Sequence, residues 1–276
     1  YRTLLNLARA DTFDAMVAGI SKTGSPTAEE ARAVANYVNA LTGRGKLPYD
    51  AKSGELLGSV FWSPRMVTSR FQLLLGEPLL RAPARARTVI AKEYVRLAVG
   101  IGAAYGLARL MGLDIETDPL SSDFGKIRIG NLRIDLLSGL GQATVFLNRL
   151  ARGMTKKETG EVVPIRGEGV PYAGTKAWDV ITRFARSKLA PASGTAVDVI
   201  SGEDYLGRPV TGWNVLKNLT MPLSIDDVRS AIRELGPLKG AAVGVLALLG
   251  AGIQAYEPRR TKRDRRPNWN AQWIPY

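Results

Sequence analysis

The stretch "KIRIGNLRIDL", residues 126–136, alternates in character twice: Ile127 and Ile129 with Lys126 and Arg128, then Leu132, Ile134 and Leu136 with Arg133 and Asp135. A period of two sends successive side chains to opposite faces of a strand. Gly130-Asn131 between the arms suits a two-residue hairpin loop. The expectation is a β-hairpin over about 125–136 with one aliphatic and one cationic face. An isolated hairpin is marginal in water, so the aliphatic face must rest on helices. No other segment carries so clear a strand pattern, and the fold expected is therefore mainly α: a multi-helix assembly with one short β-hairpin.

Helical signals surround it. Leu4, Leu7, Phe13, Val17 and Ile20 recur at helical spacing over residues 2–20. Ser25 as cap and Pro26 at a first helical position predict a helix from about 27 to 41, with Val34, Tyr37, Val38 and Leu41 on one face. Gly43 and Gly45 stop it. Ser63-Pro64 repeats the device, with Met66, Val67, Phe71 and Leu74 as its apolar residues and Pro78 ending the pattern. A long helix is expected from Pro83 to about Gly112, and its run between Arg96 and Arg109 is charge-free but short for a membrane span. Beyond the hairpin, helices are expected at about 136–152, 174–189, 193–200, 211–219, 225–235 and 238–256. The last contains "GAAVGVLALLGAGI", residues 240–253, which by length reads as a buried helix. Its glycines, like those of the long helix, point to close backbone contact within a core or in a membrane.

The expected organisation is an N-terminal helical region with the hairpin (1–153), a Gly-rich polar linker (154–173) in which "GEVVPI" forms a short extended piece, a C-terminal helical region (174–256) and a basic, aromatic tail (257–276). The opening "YRTLLNLARADTFDAMVAGI" has no signal-peptide pattern, and without a Met it reads as a fragment or a processed product.

Composition restricts the chemistry. The chain has neither Cys nor His, which removes disulfides, thiolate chemistry, Ser-His and Cys-His catalysis and most transition-metal sites. No enzymatic activity, cofactor or metal is expected. The net charge of +13 over 276 residues favours an anionic partner: nucleic acid, a phospholipid surface or an acidic protein.

The motifs point the same way. "DIETD" spaces Asp114, Glu116 and Asp118 like oxygen ligands, but Pro119 and Gly125 stand where a calcium loop needs Gly and Glu, so solvated loop charge is expected. "GEDYLGRP" and Asp226-Asp227 read as a turn and a helix start. "TGRGK", residues 42–46, offers Arg44 and Lys46 to a phosphate without Walker spacing, and a helix stop with a basic turn explains it as well. Lys126, Arg128 and Arg133 would present the hairpin's cationic face to DNA or another anion. The tail adds Arg259, Arg260, Lys262, Arg263, Arg265 and Arg266, followed by Trp269, Trp273 and Tyr276, which are expected to anchor a partner protein.

Taken together, "NALTGRG", "FWSPRMVTSRFQLL", "FGKIRIGNLRIDLLSGLGQ" and "FARSKLAP" followed by "GEDYLGRPV" resemble the large polyvalent protein-associated domains of very long bacteriophage polypeptides, over roughly residues 30–230. The resemblance implies a non-enzymatic virion protein of the inner core or ejection apparatus near the portal. Its partners would be other virion proteins or its own copies, and DNA. Its place would be the virion interior, then the host envelope and membrane after ejection. It supplies no catalytic residues. The alternative is a basic DNA-binding or genome-organising module of a larger delivered protein.

Overall fold

A computed structural model describes residues 2–47, 51–137, 139–156, 160–165, 177–202, 210–212, 232–233, 236 and 252–255. The protein is mainly α, with nine helices among the described residues and short antiparallel sheets. The first core forms where α1 (Arg2–Ser21), α2 (Ala28–Leu41) and the first half of α6 (Ala84–Leu110) converge, with α4 (Pro64–Leu74) and α5 (Glu77–Leu80) packed on the same side. Met16, Ile20, Val34, Tyr37, Val38, Ala40, Leu73, Ala82, Ala86 and Ile90 are its buried residues. α3 (Ala51–Val60) precedes α4.

Helix α2 starts one step later than Ser25-Pro26 suggests. Thr27 is the cap: its hydroxyl accepts from the Glu30 amide at 3.2 Å, and the Glu30 carboxylate accepts from the Thr27 amide at 2.9 Å. This reciprocal pair satisfies two orphan amides of the first turn. Ser63 does stand at the start of α4, but in the left-handed region (φ 51) and with no capping bond from its side chain. Two apolar faces are also shifted. Leu4 and Leu7 of α1 are exposed, leaving Met16 and Ile20 to enter the core, and in α4 the buried positions are Ser69 and Leu73 rather than Met66 and Leu74.

The hairpin forms as expected from strands β2 (Lys126–Ile129) and β3 (Leu132–Asp135), but it is the middle of a larger sheet. β1 (Asp114–Ile115) pairs with β2, and β6 (Gly252–Ala255) pairs with β3, giving the antiparallel order β1-β2-β3-β6. The helix expected over 238–256 therefore does not run to its end: its last residues are a strand, with Ile253 opposite Ile134. The rest of that apolar run, like the helices expected at 211–219 and 225–235 apart from isolated positions, lies outside the described residues. One face of the sheet carries Ile115, Ile127, Leu132, Ile134 and Ile253, all buried, and it packs with Ala108 and Tyr105 of α6. Helix α6 thus serves both cores.

After α7 (Leu140–Arg152), which starts four residues later than expected, β4 (Met154–Lys156) and β5 (Val162–Pro164) pair as a small ribbon; the second strand is the extended piece expected in "GEVVPI". α8 (Ala177–Arg186) and α9 (Pro191–Ser201) follow. Contacts run across the expected linker. Phe146 of α7 and Phe184 of α8 stack at 4.4 Å between ring centres, and each lies 5.9 Å from Phe71 of α4. The Trp62 amide donates to the Lys188 carbonyl at 2.7 Å, and the Ala190 amide to that of Val60 at 2.9 Å.

Candidate anion-binding groove

The cations singled out in the sequence fall into two environments. Those of the hairpin are neutralised within the fold. Lys126 is buried at 4 % exposure, and its Nζ donates to Asp123 Oδ1 at 3.0 Å and to Gln254 Oε1 at 2.7 Å. Arg133 donates through Nε to Asp123 Oδ2 at 3.1 Å. Arg128 is paired with Glu116 and lies 3.5 Å from Asp114 Oδ2. The register explains why such carboxylates are needed: Arg128 sits directly opposite Arg133, a like-charge pair that destabilises a ladder unless compensated. "DIETD" is accordingly not simply solvated charge. Asp114 and Glu116 serve Arg128, and Asp118 accepts from Lys156 at 2.7 Å, a hydrogen bond that holds the Asp118 carboxyl below its usual range, with help from the Leu120 amide. Among the described residues no group of carboxylates is arranged to hold a metal ion.

The cations of "TGRGK" meet a different environment. The turn after α2 and the faces of α4 and α5 enclose a groove of about 850 Å³ lined by Arg44, Lys46, Arg65 and Arg81, with the amides of Asn36, Asn39 and Gln72 and the carboxylate of Glu77. Among the described residues four cations face one carboxylate, and Glu77 is paired with Arg81 at 3.0 Å. Lys46 and Arg65 are exposed, and among the described residues neither side chain has an ion partner or a side-chain hydrogen bond. Arg44 Nη2 donates to the Asn6 amide oxygen at 3.3 Å, its one side-chain hydrogen bond among the described residues.

This shape has local causes. Arg9 of α1 donates to Thr42 Oγ1 at 2.7 Å and to the Thr42 carbonyl at 3.1 Å, fixing the end of α2. Gly45 then runs so close to α4 that a Cβ would stand 2.5 Å from the Ser69 nitrogen, and its amide donates to the Arg65 carbonyl at 3.0 Å. The Lys46 amide donates to Gln72 Oε1 at 3.2 Å. The backbone is pinned while the side chains of Lys46 and Arg65 stay exposed. A phosphate entering here would meet guanidinium and ammonium donors, which bind phosphate oxygens through charge-assisted hydrogen bonds.

The structure therefore brings Arg44 and Lys46 together and adds Arg65 and Arg81, which sequence reasoning did not join to them. Arg9 was also missed, and no local pattern marks it. Arg259, Arg260, Lys262, Arg263, Arg265, Arg266, Trp269, Trp273, Tyr276, Asp226, Asp227 and most of "GEDYLGRP" lie outside the described residues.

A second polar cluster is half-buried. Burial pushes the Lys188 ammonium and the Arg70 guanidinium below their ordinary pKa values, against the opposing field of Asp135. Lys188 donates to Gln142 and lies 5.2 Å from the Phe184 ring centre, and Arg70 donates to the Leu41 carbonyl at 3.3 Å. These groups tie α4, α7 and the turn after α8 to the hairpin's end.

Comparison with protein-family models, with curated proteins and with solved structures returned no match.

Proposed function

We propose that this chain is a non-enzymatic, polyanion-binding structural protein whose groove at Arg44, Lys46, Arg65 and Arg81 holds nucleic-acid phosphates. The observation that carries the reading is the pair of exposed cations, Lys46 and Arg65, left without a carboxylate partner among the described residues in a groove with an excess of positive charge. The net charge of +13 supplies the long-range attraction. The resemblance to large polyvalent protein-associated domains supports the setting: an internal component of a phage particle, near the portal, that handles genome during delivery.

The test is a titration of the full chain with duplex DNA at increasing salt. Neutralised phosphates release counterions, so the logarithm of affinity falls with the logarithm of salt by about 0.9 per phosphate contacted. A slope worth several ions is expected; absence of binding at low salt overturns the reading. The virion setting is tested separately by mass spectrometry of purified particles, where absence of the chain counts against it.

A further inference from the structure

The α4 end of the groove has an exposed aromatic side chain beside its cations. Trp62, 64 % exposed, stands three residues before the groove residue Arg65, so the two Cα atoms are at most ~11 Å apart. Met66, 39 % exposed, follows Arg65, and its Cγ would lie 3.6 Å from a Cβ on Gly43, the residue before Arg44. Apolar surface and cations are thus interleaved where the turn after α2 meets the start of α4. The backbone that carries Trp62 is held on both sides. Its amide donates to the Lys188 carbonyl at 2.7 Å, and Phe61 bridges to Leu189. Ser63 follows at φ 51, the only non-glycine residue in the left-handed region among the described residues. That conformation is unfavourable for a residue with a Cβ, and such strain persists where the surroundings impose it, most often at binding sites. A rigid ring on a pinned backbone loses little freedom when a flat partner covers it.

We infer that the groove takes single-stranded nucleic acid, with a base stacked on Trp62 next to phosphates held by Lys46 and Arg65; this rests on the reading of the groove as a phosphate site. Three observations favour a single strand over a duplex. The space, about 850 Å³, is that of a site which encloses a small molecule and not of a platform for a rod. Asn36 and Asn39 line it, and among the described residues their side-chain amides make no hydrogen bond. Those amides can meet base edges that a single strand exposes and a duplex keeps paired. An aromatic ring beside phosphate-binding cations is also the composition that holds strands regardless of sequence, since every base has a π-face.

The test titrates the full chain, by fluorescence anisotropy, with three labelled probes of equal length: oligothymidylate, an abasic strand with the same phosphates, and a duplex. Oligothymidylate should bind about tenfold tighter than the abasic strand, the effect of one stacked base, and tighter than the duplex. Trp62→Ala should abolish that preference and Trp62→Phe retain most of it. Neither should change the salt slope or the urea midpoint, because no cation is lost and the ring is largely in water. Lys46→Gln with Arg65→Gln should weaken binding of all three probes. Equal affinity for the thymidylate and abasic strands, or a preference that survives Trp62→Ala, overturns the inference while the groove reading stands if the double variant still weakens binding. Binding indifferent to the double variant, or no binding of any probe, overturns both. Loss of self-association instead of strand affinity in Trp62→Ala assigns the ring to a second copy and likewise overturns the inference.

Discussion

The polar face of the sheet and the groove beside α2 are both rich in cations, and they treat them in opposite ways. On the sheet, Lys126, Arg128 and Arg133 meet Asp123, Glu116 and Asp114, and a buried ammonium is completed by the Gln254 amide from a strand far along the chain. In the groove, Glu77 is the one carboxylate among the described residues beside four cations. A cation surrounded by its own carboxylates holds a fold together; one left facing solvent is available to a partner. Net charge alone does not distinguish them.

The contrast can be broken at the sheet. Asp123→Asn removes the carboxylate charge that neutralises Lys126, whose side chain is 5 % exposed, and Arg133, 3.1 Å away. Removing one member of a buried pair costs about 3 kcal/mol, so the urea midpoint should fall accordingly, with DNA binding of the remaining folded protein unchanged. It can be broken next at the groove's frame. Gly45→Ala drives a methyl into the α4 backbone and should cost about 2 kcal/mol, and affinity for DNA should fall with it because Lys46 shifts relative to Arg65.

Smaller effects sharpen the comparison by probing the core between the two regions. Tyr94→Phe removes a 3.0 Å bond to the Leu73 carbonyl and should cost about 1 kcal/mol. Burial raises the pKa values of Tyr37, Tyr94 and Tyr105, so the folded state holds these protons after the unfolded chain has lost them. Their contribution is whole below the ordinary tyrosine value of about 10 and is lost as pH rises above it. Lys188 and Arg70, with lowered values, contribute in the opposite sense over the same alkaline range. Melting temperatures at pH 9 to 11 should fall in the parent chain and fall less in Tyr37→Phe, whose ring is the most deeply buried of the three.

Much of the fold was legible because its signals are local. The period of two and Gly130-Asn131 mark the hairpin, and the long helix from Pro83 is found as Ala84–Leu110. Thr27 and Glu30 were a readable capping box that the neighbouring Ser-Pro obscured. What escaped depends on distant partners. Gly252–Ala255 reads as the end of an apolar helix, yet it becomes a strand because β3 offers an unpaired edge, and pairing context overrides local preference. The fate of the hairpin's cations was hidden for the same reason, since charge alternation shows which face they occupy but not that Asp123 and Glu116 lie over it. Of the groove, the basic turn at Arg44 and Lys46 was visible. Arg65 and Arg81 join it only through the packing of α2 on α4 and α5.

The most direct test compares salt titrations of DNA binding for two double variants, Lys46→Gln with Arg65→Gln in the groove and Arg128→Gln with Arg133→Gln on the sheet. The groove variant should lower the salt slope by about two ions, and the sheet variant should leave the slope of its folded fraction unchanged. Equal losses from both, or a groove variant that binds like the parent, would contradict the division between cations that hold the fold and cations that meet a partner.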